Sequence, residues 1–220
     1  MGSASVVWVV LAVAGVALVA FILACATNSL EQERRERIQQ WAVEHRWVYT
    51  QSPEVGWGAR LPGRNRSGVR WMVSGTIEGY PVSIAAYTYL MQPVGVPPAA
   101  VVSTRHLLLL VVRLAQPYPE VAVQPRAPLA AIGRALFGDR GAVGDERFDH
   151  QFRIVTKADR SHVRQLVGPA LVTEHIAGTV PAWSLQGDEL LAYRDEELDD
   201  PERIPTLAAP LIRVADLLSR

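Results

Sequence analysis

The chain has 220 residues and a mass of 24.1 kDa, room for one ordinary domain and an appendage. Hydrophobic residues make up 49% and charged residues 20%, which excludes a disordered or collagen-like protein. The 22 basic and 22 acidic side chains cancel, so no global positive charge recruits nucleic acid; the single cysteine excludes an internal disulfide framework and a cysteine-built metal site.

The first element is apolar. Val6–Ala26 (VVWVVLAVAGVALVAFILACA) has no ionisable side chain except the Cys25 thiol. As a helix it would extend about 32 Å, against a hydrocarbon core of roughly 30 Å. A cleaved signal peptide needs a charged leading region and a shorter apolar core, although Ala24-Cys25-Ala26 has the small-residue form of a cleavage site. A lipoprotein signal would put Cys25 after Ile22-Leu23-Ala24 and would carry a leading Lys or Arg. An uncleaved single-pass anchor within residues 1–28 fits best, with Cys25 as one of its small apolar residues. Arg34, Arg35 and Arg37 follow the span and no Lys or Arg precedes it. The positive-inside rule then places the N-terminus outside and the remainder in the cytoplasm.

Ser29 with Gln32 forms a capping box that opens a juxtamembrane helix over 29–46. Its stripe of Leu30, Ile38, Trp41, Ala42 and His45 either docks on the domain that follows, the reading that large Trp41 favours, or lies along the lipid surface. Residues 47–220 read as one soluble α+β domain with a mainly antiparallel sheet and helices packed on it. Trp47–Thr50 is a short strand, and Gln51–Gly68 is a loop. Val69–Ile77 and Tyr80–Leu90 form a hairpin turned at Glu78-Gly79, with Gly79 supplying positive φ. Met91–Thr104 reads as a loop. Arg105–Ala115 is a central strand and Val121–Val123 a further short one. Pro128–Phe137 is a helix, Gly141–Gly144 a link, and Phe148–Thr156 a strand. Helices are expected from Asp159 to about Val167 and from Pro169 to about Ile176. A second hairpin would turn at Gln186-Gly187-Asp188. The last helix carries Leu207, Leu211, Val214 and Leu218 on one face, starting or bending at Pro210.

Little of this resembles catalytic machinery. Gly58–Asn65 has the two-glycine spacing of a phosphate loop, but Arg64 and Asn65 stand where Lys and Ser or Thr are needed. The five histidines lack metal-ligand spacing, and no cofactor or metal is expected. His150, Asp159 and His162 are the ingredients of an alternative, a membrane-tethered hydrolase or transferase. Capping accounts for Asp159 and Ser161 more simply. Asp195–Asp200 reads as a solvated acidic run.

Charge distribution says more. Residues 31–113 hold ten basic and six acidic groups, whereas 188–220 hold four and nine. Arg60, Arg64, Arg66 and Arg70 concentrate in one loop flanked by Trp57 and Trp71, a combination suited to anionic lipid headgroups or a protein partner. The competing reading pairs those arginines with the acidic C-terminal part.

The segments RRERIQQWAVEHRWVYT, WMVSGTIEGYPVSIAAYTY, RFDHQFRIVTKADRSHVRQLVGPALVTEHI and LQGDELLAYR resemble a group of uncharacterised actinobacterial single-pass membrane proteins. The resemblance runs along most of 34–193 and departs at Met91–Thr104. It implies a membrane anchor, and a domain in which Arg34, Trp47, Tyr49, Gly75, Phe148 and Phe152 are framework positions. Together these readings describe a membrane-anchored interaction module that meets the bilayer through residues 6–26, with no nucleic-acid partner.

Overall fold

The computed structural model describes residues 30–65, 67–91, 103–126, 139–141, 144–156 and 159–219. The apolar span Val6–Ala26, the helix expected at Pro128–Phe137 and most of the expected Met91–Thr104 loop lie outside them. Two compact units divide the chain, Met1–Trp41 and Ala42–Arg220. Among the described residues no helix is long and apolar enough to cross a membrane.

Residues 30–44 form helix α1. Glu31 pairs with Arg34 and Arg35, three and four positions on, at 3.4 and 3.1 Å. Ile38 and Trp41 of its stripe are buried while Leu30 is exposed. The helix ends where Arg46 turns left-handed (φ 60°) and the Trp47 N–H reaches the Ala42 carbonyl at 2.7 Å. That is a Schellman closure with arginine in the place glycine usually takes.

The second unit is α+β. One sheet holds β1 (Val48–Gln51), β2 (Val69–Ile77), β3 (Tyr80–Met91), β4 (Ser103–Pro125), β5 (Asp139–Gly141), β6 (Phe152–Thr156) and β7 (Trp183–Arg194). Their order is β1-β2-β3-β4-β6-β5, with β7 on the other side of β4, and every pairing is antiparallel. The β2–β3 hairpin follows the expectation. Glu78 (φ 51°) and Gly79 (φ 85°) both take positive φ between partners Ile77 and Tyr80, a type I′ turn whose twist matches the strands.

The centre departs from it. Arg105–Ala115 and Val121–Val123 belong to one 23-residue strand, β4. Its first half pairs with β3 and its second with β6, while β7 follows both halves. The register with β7 slips twice, between Arg113 and Tyr118 and between Tyr118 and Val121, and Pro117 and Pro119 lie one in each slip, where a ladder donor is least missed. The hairpin expected at Gln186–Asp188 is absent. Gly187 (φ 60°) instead lies within the continuous β7, opposite Tyr118, where β4 carries the surplus residues of the bulge: five steps from Arg113 to Tyr118 face two from Glu189 to Gly187.

The expected strand Phe148–Thr156 is also only half right. Asp145 accepts hydrogen bonds from the backbone of Arg147 and Phe148, capping helix α2 (Glu146–Gln151), and β6 begins only at Phe152. The phenylalanine pair serves that corner, with ring centroids 5.2 Å apart four residues on. Helix α3 (Arg160–Leu166) follows, with Asp159 at its N-cap position but no side-chain capping bond. Helix α4 (Pro169–Ala177) ends on left-handed Gly178. Helix α5 (Ile204–Leu218) opens at a capped turn, Pro201–Arg203, and runs through Pro210 instead of starting there.

Alternation assigns the two sheet faces. Ala85, Tyr87, Tyr89, Leu107, Leu109, Val111 and Leu191 face one way, covered by Trp57 and Leu61 of the 51–68 segment. Ile84, Leu108, Leu110, Leu190 and Ala192 face the other way, where α5 buries Leu207, Leu211, Val214 and Leu218. The Tyr80 hydroxyl, donating to Asp216 Oδ1 at 2.8 Å, ties the hairpin end to α5.

Candidate functional site

The segment between β1 and β2 carries the arginine loop. It is folded as two 3-10 turns, Gly56–Arg60 and Pro62–Arg64, laid on one sheet face. Tyr87 pins it: its hydroxyl donates to the Pro62 carbonyl at 2.7 Å and accepts from the Asn65 N–H at 2.9 Å. Asn65 Nδ2 reaches the Thr88 carbonyl at 3.0 Å, and the Thr88 N–H returns to the Gly68 carbonyl at 2.8 Å. The glycines here are close-approach positions. A Cβ on Gly63 would stand 2.5 Å from the Tyr89 ring, and one on Gly68 2.4 Å from the Tyr87 ring. A strand, β2, follows the loop where a phosphate loop would open a helix.

Arg60 is the centre of this arrangement. Its side chain is 10% exposed. Nη2 donates to the Ser184 carbonyl at 2.6 Å, the Ser184 hydroxyl at 3.0 Å and the Glu189 carbonyl at 3.2 Å. Nη1 stands 3.7 Å from Glu189 Oε2, which also accepts from the Trp57 indole N–H at 2.9 Å. Burial lowers the Arg60 pKa, and the carboxylates of Glu189 and Glu120 oppose that. The reason for the geometry lies at Gly187. Five residues apart, Ser184 and Glu189 would point to opposite faces of a regular strand; the left-handed Gly187 (φ 60°) between them, opposite the bulged part of β4, breaks the alternation, and both reach Arg60. Arg60 clamps across it. Arg113 lines the outer side, 3.3 Å from Asp188 and 3.5 Å from Glu189.

The six residues singled out in the sequence therefore do not form one surface. Trp57 and Trp71 are 5% and 3% exposed. They also lie on opposite faces of the sheet. Val69 pairs with Tyr87, a bulge follows at Arg70, and Trp71 pairs with Ala86. Arg60, Trp57 and Trp71 are thus turned into the protein, because each has a partner or a ring to pack on; Trp71 stacks on Tyr49. Arg64 and Arg70 are exposed, and Arg66 lies outside the described residues. The pairing of Arg60 with Glu189 matches the competing reading of the arginine loop in part.

The catalytic alternative fares differently. His150 is exposed in the last turn of α2, Asp159 is exposed at the N-cap of α3, and His162 belongs to the first turns of α3 with its side chain outside the description. Among the described residues no group of three or more His, Cys, Asp or Glu side chains is placed to hold a metal. An open hollow of about 560 Å3 lies between α2 and α4, lined by Asp145, Glu146, Arg147, Thr173, Ile176 and Ala177. The acidic run is partly engaged: Glu197 meets His106 at 2.9 Å, Glu196 meets Arg194 at 3.3 Å, and Asp200 caps the turn before α5. Such exposed pairs contribute only tenths of a kcal/mol, on the order of 0.2–1.

The most perturbed side chain was not marked by any spacing. His175 on α4 is 1% exposed, ringed by Phe148, Phe152 and Trp183. The Trp183 indole N–H donates to His175 Nε2 at 3.0 Å. Burial alone lowers its pKa to about 4. Leu171, Val172 and His175 form the buried stripe of α4, and that helical periodicity is the signal that identifies His175 as interior.

No family model matches the chain, and no curated protein matches it. A solved structure similar in chain trace is the crystal structure of the mycobacterial trehalose monomycolate transport factor A. It is 15% identical with a TM-score of 0.48, over 83% of this chain and 93% of that one.

Proposed function

We propose that this chain is a membrane-anchored interaction module: residues 6–26 hold it in the bilayer, and the unit Ala42–Arg220 faces the cytoplasm and binds a protein partner or the anionic lipid surface. The observation that carries the reading is the uninterrupted apolar run Val6–Ala26, followed by Arg34, Arg35 and Arg37. Exposed Arg64 and Arg70 remain the loop's contribution to an anionic surface, at about 1 kcal/mol each near headgroups. That attraction orients a tethered domain; it does not by itself hold one. A protein partner supplies specificity where so few charges face outward.

The test is direct. The chain should stay in the membrane fraction after alkaline carbonate washing, and a reporter active only outside the membrane, fused after Arg220, should be silent. Release by carbonate, or a strong reporter signal, would sink the reading.

A further inference from the structure

Helix α4 turns His175 into a box of three aromatic rings, Phe148 of α2, Phe152 of β6 and Trp183 of β7, with one hydrogen bond inside it. Trp183 Nε1 carries a hydrogen and can only donate, so the His175 Nε2 it faces at 3.0 Å is the unprotonated nitrogen. The proton of neutral His175 is then on Nδ1, which is buried without a hydrogen-bond partner. The ring packs edge-on to Phe148 at 5.7 Å, tilted over Phe152 at 5.0 Å and beside Trp183 at 6.5 Å. A second proton at Nε2 would confront the Trp183 N–H donor directly and would leave a cation among aromatic edges with no acceptor.

We propose that this junction is a proton-operated latch: protonation of His175 expels the Trp183 indole and loosens α2 and α4 from the sheet, while β2, β3 and β4 stay paired.

No carboxylate offsets this. The side chains ringing His175 from α2, β6 and β7 are the three aromatics. The charged groups those elements carry are Glu146, Arg147, Asp149 and His150 on α2, Arg153 on β6, and Asp188, Glu189 and Arg194 on the distal part of β7. On its own helix Glu174 is bound to Arg213 of α5 at 2.8 Å and to Thr179. None of them contributes to the depressed affinity of His175 for protons, whose cause is burial. The linkage sign is fixed by the order of the two pKa values. The closed latch holds a His175 of pKa about 4 and the open one a His175 near the ordinary 6.5, so the open form takes up the proton and opening is favoured as pH falls through 6.5 towards 4. The opening equilibrium should rise about 30-fold between pH 7.5 and pH 5, and about 300-fold as the limit below pH 4.

Hydrogen exchange of the full chain in detergent, corrected for intrinsic rates, reads this by segment. At pH 5 the amides of α2 (Glu146–Gln151) and α4 (Pro169–Ala177) should lose about 30-fold in protection relative to pH 7.5, and those of β2 and β3 should not. His175→Gln keeps an acceptor for Trp183 without titrating and should abolish the loss. Equal behaviour of wild type and variant, or a loss spread evenly over the sheet, would overturn the latch. If the variant does not fold, the imidazole titration of His175 in the wild-type chain decides by nuclear magnetic resonance. A pKa near 6.5 refutes the proposal, and one well below 5 with simultaneous broadening of the Trp183 indole proton supports it.

Discussion

Replacing Arg60 with glutamine separates a structural clamp from a lipid-facing charge. The change removes donations to the Ser184 carbonyl, the Ser184 hydroxyl and the Glu189 carbonyl, and takes one of two cations from the Glu189 carboxylate. Removing one partner of a buried ion pair costs about 3–5 kcal/mol. Glu189 is 27% exposed and keeps the Trp57 indole and Arg113, so about 3 kcal/mol is the expectation. For a unit of this size that is a fall in Tm of roughly 6–12 °C. Arg64→Gln and Arg70→Gln, both at exposed positions, should stay within about 0.5 kcal/mol of wild type. Urea unfolding of the full chain in detergent measures all three, and a double-mutant cycle with Glu189→Gln should return a coupling of about 1–2 kcal/mol. An Arg60→Gln chain as stable as wild type would refute the clamp and return Arg60 to the surface.

Gly79→Val should cost about 1–3 kcal/mol from backbone strain alone, since nothing lies within 4 Å of the added Cβ and φ is +85°; Gly79→Asn should be nearly neutral, and thermal melts that do not separate the two would contradict the type I′ turn. Gly75→Ala places a Cβ 2.3 Å from the Trp47 ring and should cost about 1–3 kcal/mol, whereas Gly56→Ala, with open space around it, should not be felt; equal urea midpoints would show that Trp47 moves freely. Asp145→Ala removes the α2 cap and should lose about 1 kcal/mol, read in the same denaturation series. The unit 42–220 should sediment with anionic vesicles only at low salt, and Arg64→Gln with Arg70→Gln should weaken that; binding unchanged by salt would exclude a headgroup contact.

The hairpin was legible because local chemistry decides it: Glu78-Gly79 between two alternating runs leaves one turn type. The same holds for α4 and for the apolar face of α5, where periodicity and Pro169 or Gly178 act within a few residues. Long-range pairing was not legible. Gln186-Gly187-Asp188 has the composition of a turn, and only pairing with β4, some seventy residues earlier, keeps it within one continuous strand. Phe148–Thr156 alternates like a strand, yet the Asp145 cap claims its first residues for a helix. The arginine loop misled for a related reason. Clustering in sequence says nothing of which side of a sheet a residue takes, and a bulge at Arg70 sends Trp71 away from the face that Trp57 covers. Clamp and histidine box alike depend on β7, which no spacing near Arg60 or His175 announces.

The length of β4 has a consequence during synthesis. Its apolar run RHLLLLVVRLA acquires β3 on one side from chain already made, but the other side waits for β7, whose pairing joins Arg113 to Glu189 and Leu108 to Arg194. At about 5–20 residues per second the ribosome needs roughly 4–16 s to supply that partner. Through that interval the unpaired edge of a strongly apolar segment is open to other nascent chains. A newborn copy in that state is a client for a chaperone, and crowding many translating copies together would be expected to lower the folded yield before any finished contact is tested.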